Sequence, residues 1–108
     1  MARYLTLFKY STEGARGFQK DKASGRLASV KRAVEGLGGR LEALHWMPTG
    51  EFSGMALWEF PDAASFAAFG STVAASGMFA DIKTYDVLTS EEMDRAVEKS
   101  VSYRPPGG

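Results

Sequence analysis

His45 is the single histidine of the chain, and so the one side chain whose unperturbed pKa lies near neutrality. It falls late on a strand candidate, close to a turn, where the mouth of a cavity is expected. There it could take a proton α to a carbonyl or from a phenol as a general acid or base, a role worth about 10²–10⁴-fold in rate. The plainer alternative is a half-exposed strand residue making one hydrogen bond. Glu59 lies on the next strand candidate, on the face shared by Met55 and Leu57. If that face is covered, its carboxylate must be paired, hydrogen-bonded or protonated, because an isolated buried charge is costly. Otherwise it is a strand-end residue reaching water. Glu59 or Tyr85 would assist His45, which makes His45, Glu59 and Tyr85 the candidate catalytic set.

Aromatic residues make up 12% of the chain. Tyr10, Trp46, Trp58, Phe66, Phe69 and Tyr85 could line a pocket between a sheet and its helices for a flat organic ligand. Phe66 and Phe69 have the spacing of core residues, and Trp58 also reads as core. Tyr10 and Trp46 stand near strand ends, where their polar tips need partners. The candidate ligand walls are therefore Tyr10, Trp46 and Trp58. The first forty residues hold nine Lys or Arg against three acids, and the rest hold four against ten. A basic stretch around Arg16, Lys20, Lys22 and Arg26 could attract an anionic ligand, or could simply be a solvated helix face. With no Cys, one His and no metal-ligand spacing, no metal centre or other cofactor is expected. Gly36, Gly38 and Gly39 end a helix instead of opening one, which is the wrong end for a phosphate. No nucleophile elbow surrounds any serine.

Positioning these groups falls to a regular succession of elements. Arg3 to Tyr10 alternates as a strand, and Ser11 to Lys22, polar and containing Gly14 and Gly17, reads as a loop or irregular lead-in. Leu27, Val30, Val34 and Leu37 then recur as one stripe of an amphipathic helix. Arg40 to Met47 is a second strand, with Leu41, Ala43, His45 and Met47 on one face and Leu44 and Trp46 on the other. Pro48-Thr49-Gly50 turns the chain, and Phe52 to Phe60 returns as a third strand. Asp62 caps a helix with Phe66, Phe69 and Val73 inward. Phe79 to Leu88 is a fourth strand. Thr89-Ser90-Glu91-Glu92 is a capping box that opens a terminal helix, with Met93, Val97 and Val101 expected to face inward. The order predicts an α+β, ferredoxin-like β-α-β-β-α-β fold with an antiparallel four-stranded sheet and an extra C-terminal helix. Residues 1–102 form a single domain and 103–108 a flexible Pro/Gly tail.

Composition narrows the function classes. The chain has 108 residues, 44% of them hydrophobic and 24% charged, which suits one folded domain. Its formal net charge of zero argues against a dedicated nucleic-acid or acidic-membrane binder. No apolar run reaches the ~18 residues of a membrane span, and the start lacks a signal-peptide pattern. A cytoplasmic protein is expected. On the third strand Ala56, Trp58 and Phe60 lie on one side and Met55, Leu57 and Glu59 on the other, so both faces of the sheet carry apolar bulk. Two copies packing sheet on sheet would cover the second face; a terminal helix folded back on it is the alternative. An RNA-recognition domain shares the strand order, but its base-stacking aromatic positions are Met55 and Leu57 here.

Four stretches give the chain a family resemblance: Tyr4 with Ser11-Thr12-Glu13-Gly14; the helix from Arg26 ending in Leu37-Gly38-Gly39-Arg40-Leu41; Trp46 to Phe52; and Leu88-Thr89-Ser90-Glu91-Glu92-Met93. Together they resemble the GYD domain family of small bacterial proteins. At the motif that names the family (a Gly, an aromatic and an Asp) stand Gly50, Phe52 and Ser53, so a phenol is lost and a carboxylate becomes a hydroxyl. The resemblance implies a dimeric α+β barrel, in a superfamily that includes cofactor-free monooxygenases, polyketide cyclases and lactone isomerases. The resulting expectation is a homodimer that binds a small apolar or aromatic molecule. It would be a cofactor-independent cyclase, isomerase or monooxygenase acting on a carbonyl or phenolic substrate in secondary metabolism, or else a non-catalytic binding or assembly module.

Overall fold

A computed structural model describes all 108 residues. The chain runs β1 (Ala2–Tyr10), α1 (Thr12–Gly36), β2 (Arg40–Trp46), β3 (Gly54–Phe60), α2 (Ala63–Ala75), β4 (Phe79–Asp86) and α3 (Ser90–Glu98). The strands form one antiparallel sheet in the order β2-β3-β1-β4. This is the ferredoxin-like α+β arrangement with one helix added at the C-terminus. No helix is long and apolar enough to cross a membrane.

Strand alternation divides the sheet into two different surfaces. Tyr4, Thr6 and Phe8 of β1 and Ala56, Trp58 and Phe60 of β3 face the helices and are buried. With Val34 of α1 packed between them, Tyr4, Ala56, Trp58 and Phe60 form the core cluster. Tyr4 stacks on Phe66 at 4.0 Å between ring centres, and Phe60 meets Phe66 edge-on at 5.1 Å. Leu5, Leu7, Met55, Leu57 and Glu59 point the other way.

Three expectations need correction. Ser11 to Lys22 is helix, not an irregular lead-in: Ser11 caps α1 by accepting from the Gly14 N–H at 3.1 Å. Gly14 is there for close approach and not for a turn. A Cβ at that position would stand 2.0 Å from the Met78 carbonyl oxygen and 2.8 Å from the Tyr10 ring. The helix does break once, at Lys22, whose φ of 64° and ψ of 170° are non-helical. On β2, the register shifts between Leu41 and Ala43, leaving Glu42 unpaired as an extra residue. Leu41 therefore joins Leu44 and Trp46 on the helix side instead of sharing a face with Ala43 and His45. The terminal helix forms as its capping box dictates, with Glu92 and Thr89 reciprocally bonded at 2.9 and 3.1 Å. Its apolar stripe, however, does not pack inward. Met93 is 52% exposed, Val97 72% and Val101, beyond the helix end, 78%. A helical period shows that a face is apolar, but not what the face will meet.

Candidate functional site

Between the sheet and the two long helices lies a cavity of about 590 Å³, within the range of small-molecule sites. Strand parity supplies its floor. Thr6, Phe8 and Tyr10 come from β1, and Ala56 and Trp58 from β3. Helix α2 closes one side with Phe66, Phe69 and Val73 and contributes no fully buried residue: Phe66 and Phe69 pack against the core on one flank and border this space on the other. Helix α1 closes the other side through Phe18, Asp21 and Arg26.

One end of the cavity is a nest of rings. Tyr10 lies against Phe79 at 5.2 Å and Phe18 at 5.7 Å, and Phe18 reaches Trp46 at 4.8 Å. Offset and tilted contacts of this kind add to burial through the ring quadrupoles. The floor carries a short polar chain. The Trp58 indole N–H donates to Thr6 Oγ1 at 3.2 Å, and Thr6 and Thr84 share a hydroxyl–hydroxyl bond of 3.1 Å.

Three ionisable side chains reach the cavity: Tyr10, Asp21 and Arg26. Burial pushes the Tyr10 phenol above its ordinary value of 10.0, an effect partly reversed by the nearby charge of Arg26. Arg26 itself stands 3.5 Å from an Asp21 carboxylate oxygen.

The structure separates the sequence-derived candidates into two groups. Tyr10, Trp46 and Trp58 line the cavity together, as do Phe66 and Phe69. His45, Glu59 and Tyr85 stand on the opposite surface of the sheet. His45 is paired with Met55 across β2 and β3, and it borders a separate groove of about 300 Å³ with Leu27 and Lys31. Tyr85 faces Leu5 across β1 and β4 and is half exposed. Glu59 is held by a two-pronged bond from Arg40, with Nε at 3.0 Å and Nη2 at 2.8 Å. That bond lowers its pKa below the ordinary 4.5, so the carboxylate is a paired anion and not a proton donor. Arg3 and Arg40 share Glu42 beside it, at 2.7 and 3.1 Å.

Sequence reasoning missed Phe18, Asp21 and the Thr6–Thr84 pair as cavity residues, and it left Arg26 open as either an anion attractor or a solvated surface charge. One signal was available. Gly14 and Phe18 stand four apart, the spacing of one helix face, with a small residue where the helix meets the sheet and a ring one turn later.

This chain belongs to the GYD domain family, whose pattern matches residues 4–97. No curated protein matches it. Two solved structures are similar to it. An uncharacterized NIPSNAP-like domain protein from Burkholderia xenovorans superposes with a TM-score of 0.50 at 17% identity, covering 96% of this chain and 91% of that one. An uncharacterized NIPSNAP domain protein from the same organism gives 0.48 at 12% identity, covering 83% of this chain and 95% of its own.

Proposed function

We propose that this protein is a homodimer that binds a small, flat, mostly apolar organic molecule in the cavity between sheet and helices. The observation carrying the reading is the cavity itself. Its volume suits such a ligand, its walls are mainly aromatic and aliphatic, and its charged groups, Asp21 and Arg26, come from α1 beside the Tyr10 phenol of β1. The geometry favours binding over turnover, since the chain's only histidine does not share the cavity. If the protein is a cofactor-independent enzyme acting on a carbonyl or phenolic substrate, Tyr10 is the proton-bearing group placed to serve it.

The opposite surface supports the dimer. Leu5, Leu7, Met55 and Leu57 sit side by side there, flanked by half-exposed Tyr85, an apolar patch of the kind monomers rarely leave bare. The C-terminal arm points the same way. A radius of gyration of 16.9 Å exceeds the ~13 Å of a compact chain of this length, and the apolar residues of α3 lack an intramolecular cover.

Tryptophan fluorescence titrated with 2-naphthoate and 2-naphthamide tests the cavity, with Trp46 and Trp58 as reporters. Saturable quenching by either, lost on Ala33→Phe in the cavity wall, is the expected result; no saturable change with either overturns the reading. Sedimentation equilibrium at micromolar concentration tests the pairing, with twice the 11.7 kDa chain mass expected. A species of 11.7 kDa would remove the dimer.

A further inference from the structure

Arg26 is the one cation in the cavity wall, and it is poorly matched there. The two arginines of the sheet are held tightly by contrast: Arg40 grips Glu59 with two bonds, and Arg3 meets Glu42 at 2.7 Å. Arg26 has a single carboxylate contact, at 3.5 Å, to an Asp21 side chain that is itself half exposed. Charge-assisted bonds close to about 2.7–2.9 Å when both partners are committed. The guanidinium fork is therefore largely unspent, and it lies beside an apolar, aromatic space with its side chain 28% exposed.

The backbone explains why this pair meets at all. Asp21 and Arg26 are five residues apart, which is not a neighbouring spacing on a continuous helix. They converge because α1 breaks between them at Lys22, which adopts a positive φ that a side chain disfavours. Such conformations persist where the surrounding structure requires them, and they cluster at ligand sites. The break puts the guanidinium at the cavity beside the Tyr10 phenol, whose ionisation already responds to it.

We infer that the cavity selects an organic anion, a flat apolar body ending in a carboxylate that Arg26 takes in place of Asp21. The apolar body lies among Tyr10, Phe18, Trp46 and Phe79, and the carboxylate displaces the loosely held Asp21 side chain toward solvent. The inference rests on the binding function proposed above and specifies the chemical class of its ligand.

Two ligands of nearly equal shape separate the charge preference from binding as such: 2-naphthoate and the neutral 2-naphthamide. Naphthoate should bind the unmodified protein at least about tenfold more tightly, as expected for an added charge-assisted contact. Arg26→Gln should erase that preference by weakening naphthoate at least about tenfold more than naphthamide, and saturable naphthamide binding that persists in the variant checks that the cavity is intact. Asp21→Asn should tighten naphthoate, because it removes both the competitor for Arg26 and a like charge. Equal affinities for the two ligands, or a preference that survives Arg26→Gln, overturn the inference while leaving an apolar binding site standing. Binding of neither ligand overturns both readings.

Discussion

The indole N–H of Trp58 and the hydroxyl of Thr6 meet at 3.2 Å beneath the cavity, and Thr6 in turn bonds Thr84 on the edge strand. A buried indole needs an acceptor, and here a residue two positions from the facing one on the neighbouring strand supplies it. Thr6→Val keeps the shape and removes the acceptor, leaving a buried donor unsatisfied. The expected loss is about 1–3 kcal/mol in urea unfolding, with Thr6→Ser retaining most of the stability. Equal stability of the valine and serine variants would show that the bond contributes nothing.

The glycines of α1 should respond in opposite directions. Gly14→Ala drives a methyl into the Met78 carbonyl and the Tyr10 ring and is expected to cost about 1–3 kcal/mol, the usual range for overpacking. Gly17 has open space where its Cβ would go, so Gly17→Ala should stabilise by roughly 0.5–1 kcal/mol through helix propensity. Thermal unfolding of the two variants side by side checks the contrast.

Lys22 holds a conformation that glycine adopts freely. Lys22→Gly should raise stability by about 1 kcal/mol, the relief of backbone strain less the added entropy of the unfolded chain. A drop in stability would mean that the lysine side chain contributes more than its backbone costs.

Acid should destabilise the protein through three carboxylates. The Arg40 guanidinium lowers the pKa of Glu59, and backbone N–H groups at the helix caps lower those of Asp62 and Glu92. Each folded-state pKa lies below its unfolded value of 4.5 for Glu or 3.8 for Asp. The stability they confer is thus present in full above those values and is lost as pH falls through the folded-state ones. Urea midpoints measured from pH 6 downward should decline below about pH 4.5, and Glu59→Gln should make that decline shallower. An unchanged slope would remove Glu59 from the account.

Much of this architecture was legible in the chain. Alternation on β3 separates Trp58 from Leu57 without ambiguity, and the caps at Asp62 and Thr89 announce their helices by side-chain chemistry alone. Gly14 misled because its cause lies at Met78, far along the chain, where no local pattern records it. Leu41 changed faces because one extra residue, Glu42, reverses the parity of everything before it. For the site, parity was enough to bring Tyr10, Trp46 and Trp58 to one surface. The same parity set His45 opposite Trp46 and Glu59 opposite Trp58, so the strand pattern already divided the proposed catalytic residues from the aromatic walls. Arg26 stayed ambiguous because a basic run reads the same whether it meets water or a cavity; the break at Lys22 decides, and no residue type near it signals a break.

Because successive strand residues point to opposite sides, no sheet side chain belongs both to the aromatic chamber and to the bare leucine-rich surface behind it. Substitutions behind the sheet reach the chamber only through the backbone. Relatives could accordingly exchange one set of residues wholesale while keeping the other, so that what a descendant holds and what it associates with would be inherited as separate traits.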